Sequence, residues 1–228
     1  MAEFWLGDSN GPMGDVGAFM DSELRVDRAD LAAHIRQLDG ARNLIAIVGA
    51  PGSGKSHLAE ELAAQLNAHT PGSAAVVGMD GFHRSNAELE ELGLLAHKGA
   101  PETFDVAGLN DLLTTLRAAR ADVTVPTFDR EVDEPNPHGG LVPAATRYVL
   151  IEGNYLLLTR PEWRDLFPLY DLSIRLEVPE DELRARLARR WKDLPAEEAR
   201  RKIEENDLPN GRLIRRENRA ADFVVFGA

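Results

Sequence analysis

Apolar residues along this chain fall into two rhythms. Short unbroken runs, "NLIAIVG" at 43–49, "AAVVGMD" at 74–80 and "RYVLIEG" at 147–153, are what strands covered on both faces require. "DVTVPTF" (122–128), "YDLSIRLEV" (170–178) and "ADFVVFG" (221–227) read as further strands. Between them the period lengthens to that of a helix. Leu24, Leu31, Ile35 and Leu38 predict a helix over about 22–38, and others are predicted over 55–69, 85–95 and 105–120, the last with Asp105 as N-cap. Helices then run from "YDLSIRLEV" to about Arg219. Strands alternating with helices predict a doubly wound α/β fold with a parallel sheet, in a single domain over 21–228. Residues 1–20 are rich in Gly, Asp, Asn and Pro, with Phe4, Trp5 and Leu6 as their apolar cluster, and predict a flexible tail that Trp5 could dock. "DREVDEPNPHGGLVP" (129–143) is expected as a long loop between two strands.

Composition narrows the class. With 228 residues and 43% apolar content the chain can bury one sizeable core. No run approaches the roughly 18 apolar residues of a membrane span, so no membrane insertion is expected. The first cation is Arg25, which argues against a secretory signal, and the absence of cysteine fits a cytoplasmic protein. A net charge of −12 argues against nucleic acid as a partner. The charge is uneven, however: 12 of the 26 Lys and Arg lie between Glu180 and Arg219. That segment is either a set of salt-bridged surface helices or a basic lid over phosphates. The six histidines show no H-x-x-x-H or H-E-x-x-H spacing, so no zinc site is expected. Nothing in the sequence fixes the oligomeric state; a homodimer is one option.

The strongest signal is "GAPGSGKS", Gly49, Ala50, Pro51, Gly52, Ser53, Gly54, Lys55 and Ser56. It satisfies G-x-x-x-x-G-K-[ST] completely, with an apolar strand before it and a helix after. The glycines let the backbone bend around a triphosphate and turn N–H groups inward, and the helix start adds its positive dipole end. Lys55 reaches the β- and γ-phosphates, the Ser56 hydroxyl is a ligand for Mg2+, and His57 stands next to the phosphates. A random chain of this length matches the pattern about once in a hundred, and the strand–helix context lowers that further.

A phosphate cradle leaves three classes open: a small-molecule kinase, a GTPase switch or a mechanical ATPase. A guanine-reading N-K-x-D is absent, and "DVAG" at 105–108 follows "PETF" rather than an apolar strand. A motor would carry paired acidic residues after a strand, whereas "YVLIEGNY" offers only Glu152. A kinase needs a base for the acceptor hydroxyl, a carboxylate for the metal and cations on the transferring phosphoryl. Asp80 and Glu152 each end an apolar strand, where ligands of open α/β sheets bind, so Lys55, Asp80 and Glu152 can meet above one sheet edge. Taken alone, Asp80 is equally a turn residue and Glu152 a solvated one. In "RARLARRW" (184–191), Arg186 shares a helix face with Arg189 and Arg190, while Leu183, Leu187 and Trp191 recur every four residues on the other side. A lid helix has that pattern, and so does any amphipathic surface helix.

At these residues the chain resembles the P-loop kinases that include uridine kinase, phosphoribulokinase and bacterial pantothenate kinase. Within them it is most similar to the fructose transport system kinases, which are fructokinase-like. The resemblance rests on "GAPGSGKS", "MDGFH", "KGAPETFD" (98–105), "FDR" (128–130), "IEGNYLL" (151–157), "RLEVP" (175–179), "RWKD" (190–193) and "ENDLPN" (205–210), in the group's order from about Asn43 to Arg219. It implies a parallel five-stranded sheet with a helical lid, ATP and Mg2+ as cofactors, and a small-molecule hydroxyl as acceptor. It implies Asp80 as catalytic base, Glu152 with Ser56 on the metal, and Arg186 and Arg190 as lid cations. His83, Lys98, Asp129 and Arg130 fall where the group places acceptor-binding residues. Uridine kinases carry serine at the Gly81 position and an aromatic at that of His83, and pantothenate kinases are longer chains. A fructose-type sugar is the leading acceptor, with a uridine-like nucleoside or pantothenate as alternatives. A regulator of a transport system that only slowly hydrolyses ATP is the reading from another class. Independently of the resemblance, a 129–143 loop carrying Asp129, Arg130 and His138 could grip a polyhydroxylated or acidic acceptor. Asn206 and Asn210 either touch ligand or cap a helix.

Overall fold

The computed structural model describes residues 23–118 and 120–226; the tail expected over 1–20, with Trp5, lies outside them. In chain order the elements are β1 (Leu24–Arg25), α1 (Leu31–Arg36), β2 (Asn43–Gly49), α2 (Lys55–His69), β3 (Ala74–Gly78), α3 (Asn86–Glu91), α4 (Val106–Ala118), β4 (Val123–Asp129), β5 (Glu134–Val142), β6 (Tyr148–Gly153), β7 (Leu172–Glu177), α5 (Glu180–Arg190), α6 (Ala196–Arg201), α7 (Leu208–Glu217) and β8 (Phe223–Phe226). A 3-10 turn follows β3 at Met79–Phe82, and a π-helical turn, Lys202–Asp207, joins α6 to α7.

Among the described residues six strands form one sheet in the order β1-β8-β7-β2-β6-β3, every neighbouring pair parallel. The parallel α/β sheet expected from the alternation is present, with six strands rather than the implied five because β1 adds a short edge beside β8. The central strands β2 and β6 are buried along their whole length. Side chains alternate across the sheet. Leu44, Ala46 and Val48 join Val149, Ile151 and α4 on one face, while Ile45, Ile47 and Leu150 join α1 and α2 on the other. Each such buried Leu or Ile contributes about 1.5–3 kcal/mol. Helix α2 forms because Leu58, Ala59, Leu62 and Leu66 make one buried stripe at helical spacing. Helix α4 begins where Asp105 was expected to cap it: the Gly108 N–H donates to Asp105 Oδ1 at 3.0 Å.

Three expectations change. Residues 22–38 are not one helix: Leu24 and Arg25 pair with Phe223 and Val224, a 3-10 turn covers Arg28–Asp30, and α1 starts only at Leu31. Leu31 and Ile35 do face the core, but Leu24 is exposed, and the open edge of β8 captures it despite its helical spacing. "DVTVPTF" is a strand, β4, but outside the parallel sheet. It pairs antiparallel with β5, which occupies the stretch expected as a loop, so that 129–143 is mostly a hairpin arm. The ladder slips in register between Val125 and Thr127, at Pro126, where an N–H is missing.

The hairpin lies directly on the 3-10 turn after β3. A Cβ added to Gly81 would stand 2.7 Å from the Pro126 carbonyl oxygen, so only glycine lets the two backbones approach this closely. Further along, Val178, Leu183, Leu187, Ile203 and Leu208 form a third, small core under the last helices, and Ala50 and Trp191 pack against it. The four-residue spacing of Leu183, Leu187 and Trp191 thus marked the inward face of α5 correctly.

Gly81→Ala is expected to destabilise the protein by about 1–3 kcal/mol, the range for overpacking a close contact. The check is a lowered urea midpoint with an unchanged m-value; an unaltered midpoint would show that the hairpin yields without cost.

Candidate active site

The C-terminal ends of β2, β3 and β6 come to one edge of the sheet. Register sets Gly78 opposite Glu152, and Val48 opposite Gly153. After β2 the chain turns through Gly52 and Gly54, both in the left-handed region at φ +80° and +92°. The Ser53 N–H donates to Ala50 O at 3.0 Å and the Leu58 N–H to Gly54 O at 2.9 Å. The preceding N–H groups of the α2 first turn have no carbonyl within the helix to bond, which is the usual anion-binding end of a helix.

This edge opens into a cleft of about 610 Å³. Lys55 and Ser56 line it, as do Asp80, His83, Lys98, Arg130 and Arg190. Seven residues singled out in the sequence therefore share one cavity. Glu152 lies beneath them, 8% exposed, with its carboxylate bonded to the Ser56 hydroxyl and its Oε2 buried without a partner. Burial pushes the Glu152 carboxyl above its ordinary value; the Lys55 and Arg130 cations oppose that rise and Asp80 adds to it. A buried carboxylate oxygen lacking a partner, beside a hydroxyl, suits a hard divalent cation. No cluster of three or more His, Asp or Glu occurs among the described residues. A metal here would accordingly be held by Ser56, Glu152 and the phosphates of a nucleotide rather than by a protein cage.

Other expected residues are placed elsewhere. Arg186 does not line the cleft: its Nη1 donates to Ser53 O at 2.9 Å, and it pairs with Glu182, so it grips the outside of the phosphate loop. Gly52 is packed against Leu187 of α5, and Ala50 joins the small core. Pro51 lines the cavity, whereas His57, on the first turn of α2, is not among its lining residues. Asp129 caps the hairpin turn instead of facing the cleft, its Oδ1 accepting from the Glu131 and Val132 N–H groups at 2.9 and 3.4 Å. His138 is an exposed residue of β5.

Lys98 is in the cleft wall but already engaged. Its ammonium donates to Asn86 Oδ1 at 2.6 Å, Asp133 O at 2.5 Å and Asp133 Oδ2 at 3.0 Å, and lies 5.2 Å from the centre of the Phe128 ring. It holds the hairpin tip against α3. One turn of chain separates the expected Asp129 from Asp133, which lines the cleft in its place.

The lid side contributes more than the sequence suggested. Asn206 and Asn210 line the cleft, linked by a 2.9 Å bond, and they reach the Lys98 and Gly99 carbonyls at 3.4 Å each. Asp207, not singled out beforehand, is 8% exposed and accepts from Trp191 Nε1 at 2.8 Å. Burial raises its pKa, against that hydrogen bond and the nearby Arg190, Lys202 and Lys55. Arg190 and Lys202 each lie 4.9 Å from the centre of the Trp191 ring. The only advance signal for Asp207 was its place inside "ENDLPN"; the π-helical turn that aims it inward has no sequence signature, although such turns recur at functional sites. Both readings of the basic segment hold in part. Arg184 pairs with Glu204, Arg200 with Glu197 and Arg212 with Glu180, while Arg190 and Lys202 face the cleft.

A phosphate loop at a parallel sheet edge, facing a carboxylate-bearing wall and a helical lid, defines a P-loop phosphotransferase scaffold. The chain belongs to the P-loop kinases of the uridine kinase and pantothenate kinase type, and a family model described as an AAA domain matches residues 45–208. It is similar to "Putative uridine kinase C227.14" of Schizosaccharomyces pombe, 32% identical over 89% of this chain and 94% of that one. It is also similar to a "Pantothenate kinase" of Rhodopseudomonas palustris, 30% identical over 65% of this chain but 49% of the longer relative. A crystal structure described as a "putative fructose transport system kinase" from Silicibacter sp. TM1040 superposes with a TM-score of 0.81, 45% identity, and coverage of 86% of this chain and 98% of that one. No helix among the described residues is long and apolar enough to cross a membrane.

Glu152 carries a testable pH signature. The folded protein binds its proton more tightly than the unfolded chain, so its contribution to stability is complete below the ordinary glutamate value of 4.5 and is lost as pH rises through the higher folded value. Glu152→Gln is expected to raise the melting temperature of the nucleotide-free protein at pH 8 and to abolish the extra stabilisation that Mg2+ adds to ATP. Thermal melts across pH, with and without each ligand, check both effects.

Proposed function

We propose that the protein transfers the γ-phosphoryl of MgATP to a hydroxyl of a small-molecule acceptor, with a fructose-type sugar as the leading acceptor. One observation carries this reading: Lys55 and Ser56, which would hold phosphates and metal, line the same cleft as Asp80 and His83, with no wall between them. The described identity of the Silicibacter relative supports the sugar; the printed name of the S. pombe relative makes uridine the first comparison.

The steps assign themselves by position. The α2 first-turn N–H groups and Lys55 hold the β- and γ-phosphates and neutralise charge on the transferring group. Ser56 and Glu152 hold Mg2+, which when bound offsets the negative charge shared by the β- and γ-oxygens. Asp80 accepts the proton of the acceptor hydroxyl as its oxygen bonds to the γ-phosphorus. The bond from that phosphorus to the β–γ bridging oxygen breaks, and ADP leaves with the electron pair. Arg190 and Trp191, on the lid side, exclude water that would otherwise compete as acceptor. Arg186 acts indirectly, bracing the Ser53 carbonyl and with it the loop.

Two substitutions separate these roles. Asp80→Asn is expected to lower kcat about 10²–10⁴-fold, the range for a positioned general base, with ATP affinity nearly unchanged. Lys55→Ala is expected to impair both nucleotide binding and turnover. Both are read by ADP release with MgATP across fructose, other sugars, glycerate, uridine, cytidine, ribulose 5-phosphate and pantothenate. Near-normal turnover in Asp80→Asn overturns the base assignment. Slow hydrolysis unmoved by any acceptor would instead favour a nucleotide-dependent regulator.

A further inference from the structure

His83 closes the 3-10 turn that carries Asp80, and its ring is fixed on three sides. Its Nδ1 lies 2.9 Å from the Asp80 carbonyl oxygen. A carbonyl can only accept, so the proton in that contact sits on Nδ1. The Phe104 ring lies 4.1 Å away on centroids and the Phe128 ring 4.8 Å, and a backbone bridge ties residue 83 to residue 104. The ring can therefore neither rotate nor exchange its nitrogens without undoing the hairpin packing. Burial lowers the pKa of the imidazole. The charges facing it divide: Asp80 and Asp133 favour a proton, Lys98 opposes one, and burial outweighs all three. A neutral ring protonated at Nδ1 leaves Nε2 as a bare acceptor. Nε2 makes no hydrogen bond among the described residues, and His83 lines the cleft beside Asp80.

Resting on the phosphotransfer reading of this same cleft, we infer that His83 Nε2 accepts a hydrogen bond from a second hydroxyl of the acceptor. The site thereby selects polyhydroxylated, uncharged substrates over those that bring a carboxylate or a bare ring nitrogen to that point. The neighbourhood supports the selection. The Lys98 cation, which could have received an acceptor anion, is held by Asp133 and Asn86. Asp80 and His83 then present two acceptors side by side, and an acceptor molecule must supply a donor to each. A group without a proton at the second position would set lone pair against lone pair, leaving both unpaired. His83 is thus a specificity residue as well as a wall of the pocket.

The tautomer can be read without turnover. Long-range proton–nitrogen correlation spectra of uniformly 15N-labelled protein report the protonation of each histidine nitrogen, with His83→Phe assigning the signal. Expected is a neutral, Nδ1-protonated ring at pH 7 that titrates below the ordinary histidine value of 6.5. An Nε2-protonated ring, or an imidazolium at pH 7, overturns the inference whatever the activity. The second arm measures kcat/KM for D-fructose and for its monodeoxy analogues, each lacking one hydroxyl. In the wild type, loss of the hydroxyl that meets His83 is expected to cost about 10- to 100-fold. His83→Phe should lose that discrimination while keeping the KM for ATP, and His83→Gln, whose amide oxygen can accept, should recover part of it. Equal discrimination in wild type and His83→Phe overturns the inference with the kinase reading intact. No ADP release with any panel compound, beside the expected tautomer, counts against the kinase reading instead.

Discussion

Parallel pairing of β2 with β6 is the constraint on which the rest depends. It fixes Val48 beside Gly153 and Ile47 beside Glu152, so the phosphate loop and the buried carboxylate must emerge at the same edge. Pairing of β3 on the far side of β6 brings Gly78, and hence Asp80 two residues on, to that edge as well. Parallel strands need long crossovers, and helices supply them on both faces. The continuous apolar runs that make such strands stable are thus the same feature that gathers the polar residues at their ends.

This explains why the chemistry was easier to read than the architecture. "NLIAIVG" followed by "GAPGSGKS" is a local pattern: strand, bend and helix all lie within 27 residues of chain, Asn43 to His69. Asp80 and Glu152 could be found because each interrupts an apolar run. The β4–β5 hairpin was not legible because Pro126, Pro135, Pro137, Gly139 and Gly140 break the alternation that marks a strand. Its position depends on a backbone contact with Gly81, which no local pattern contains. Leu24 and Arg25 belong to a strand only because β8 offers its edge from the opposite end of the chain. Asp129 and Asp133 are alike in composition and neighbourhood; the turn geometry alone decides that one caps and the other faces the cleft. Asp207 depends on a π-helical turn, and Lys98 on partners 12 and 35 residues away.

The lid and the loop are built as one unit. Leu187 packs on Gly52, Arg186 bonds the Ser53 carbonyl, and Ala50 meets both the small core and Gly211. The cleft floor and the lid each contain a carboxylate that burial makes costly to ionise, Glu152 below and Asp207 above. Lys55 faces both. A nucleotide's metal and phosphates entering between them would meet charges already arranged and already dehydrated, so less reorganisation remains for the reaction itself.

The pair Lys98–Gly99 joins the two ends of this machine. Its side chain clamps the hairpin through Asp133, while its backbone carbonyls receive Asn206, Asn210 and the Tyr155 hydroxyl. Gly99 adopts a left-handed conformation, φ +101°, that holds these partners on opposite sides of the chain. Refitting the hairpin to a different substrate would therefore disturb the anchor of the helices that keep water out. In a protein wired this way, a shift in taste and a loss of economy come together: a mutant that admits a new acceptor is also one that leaks phosphate to solvent, and evolving it toward a new substrate means repairing the lid at the same time.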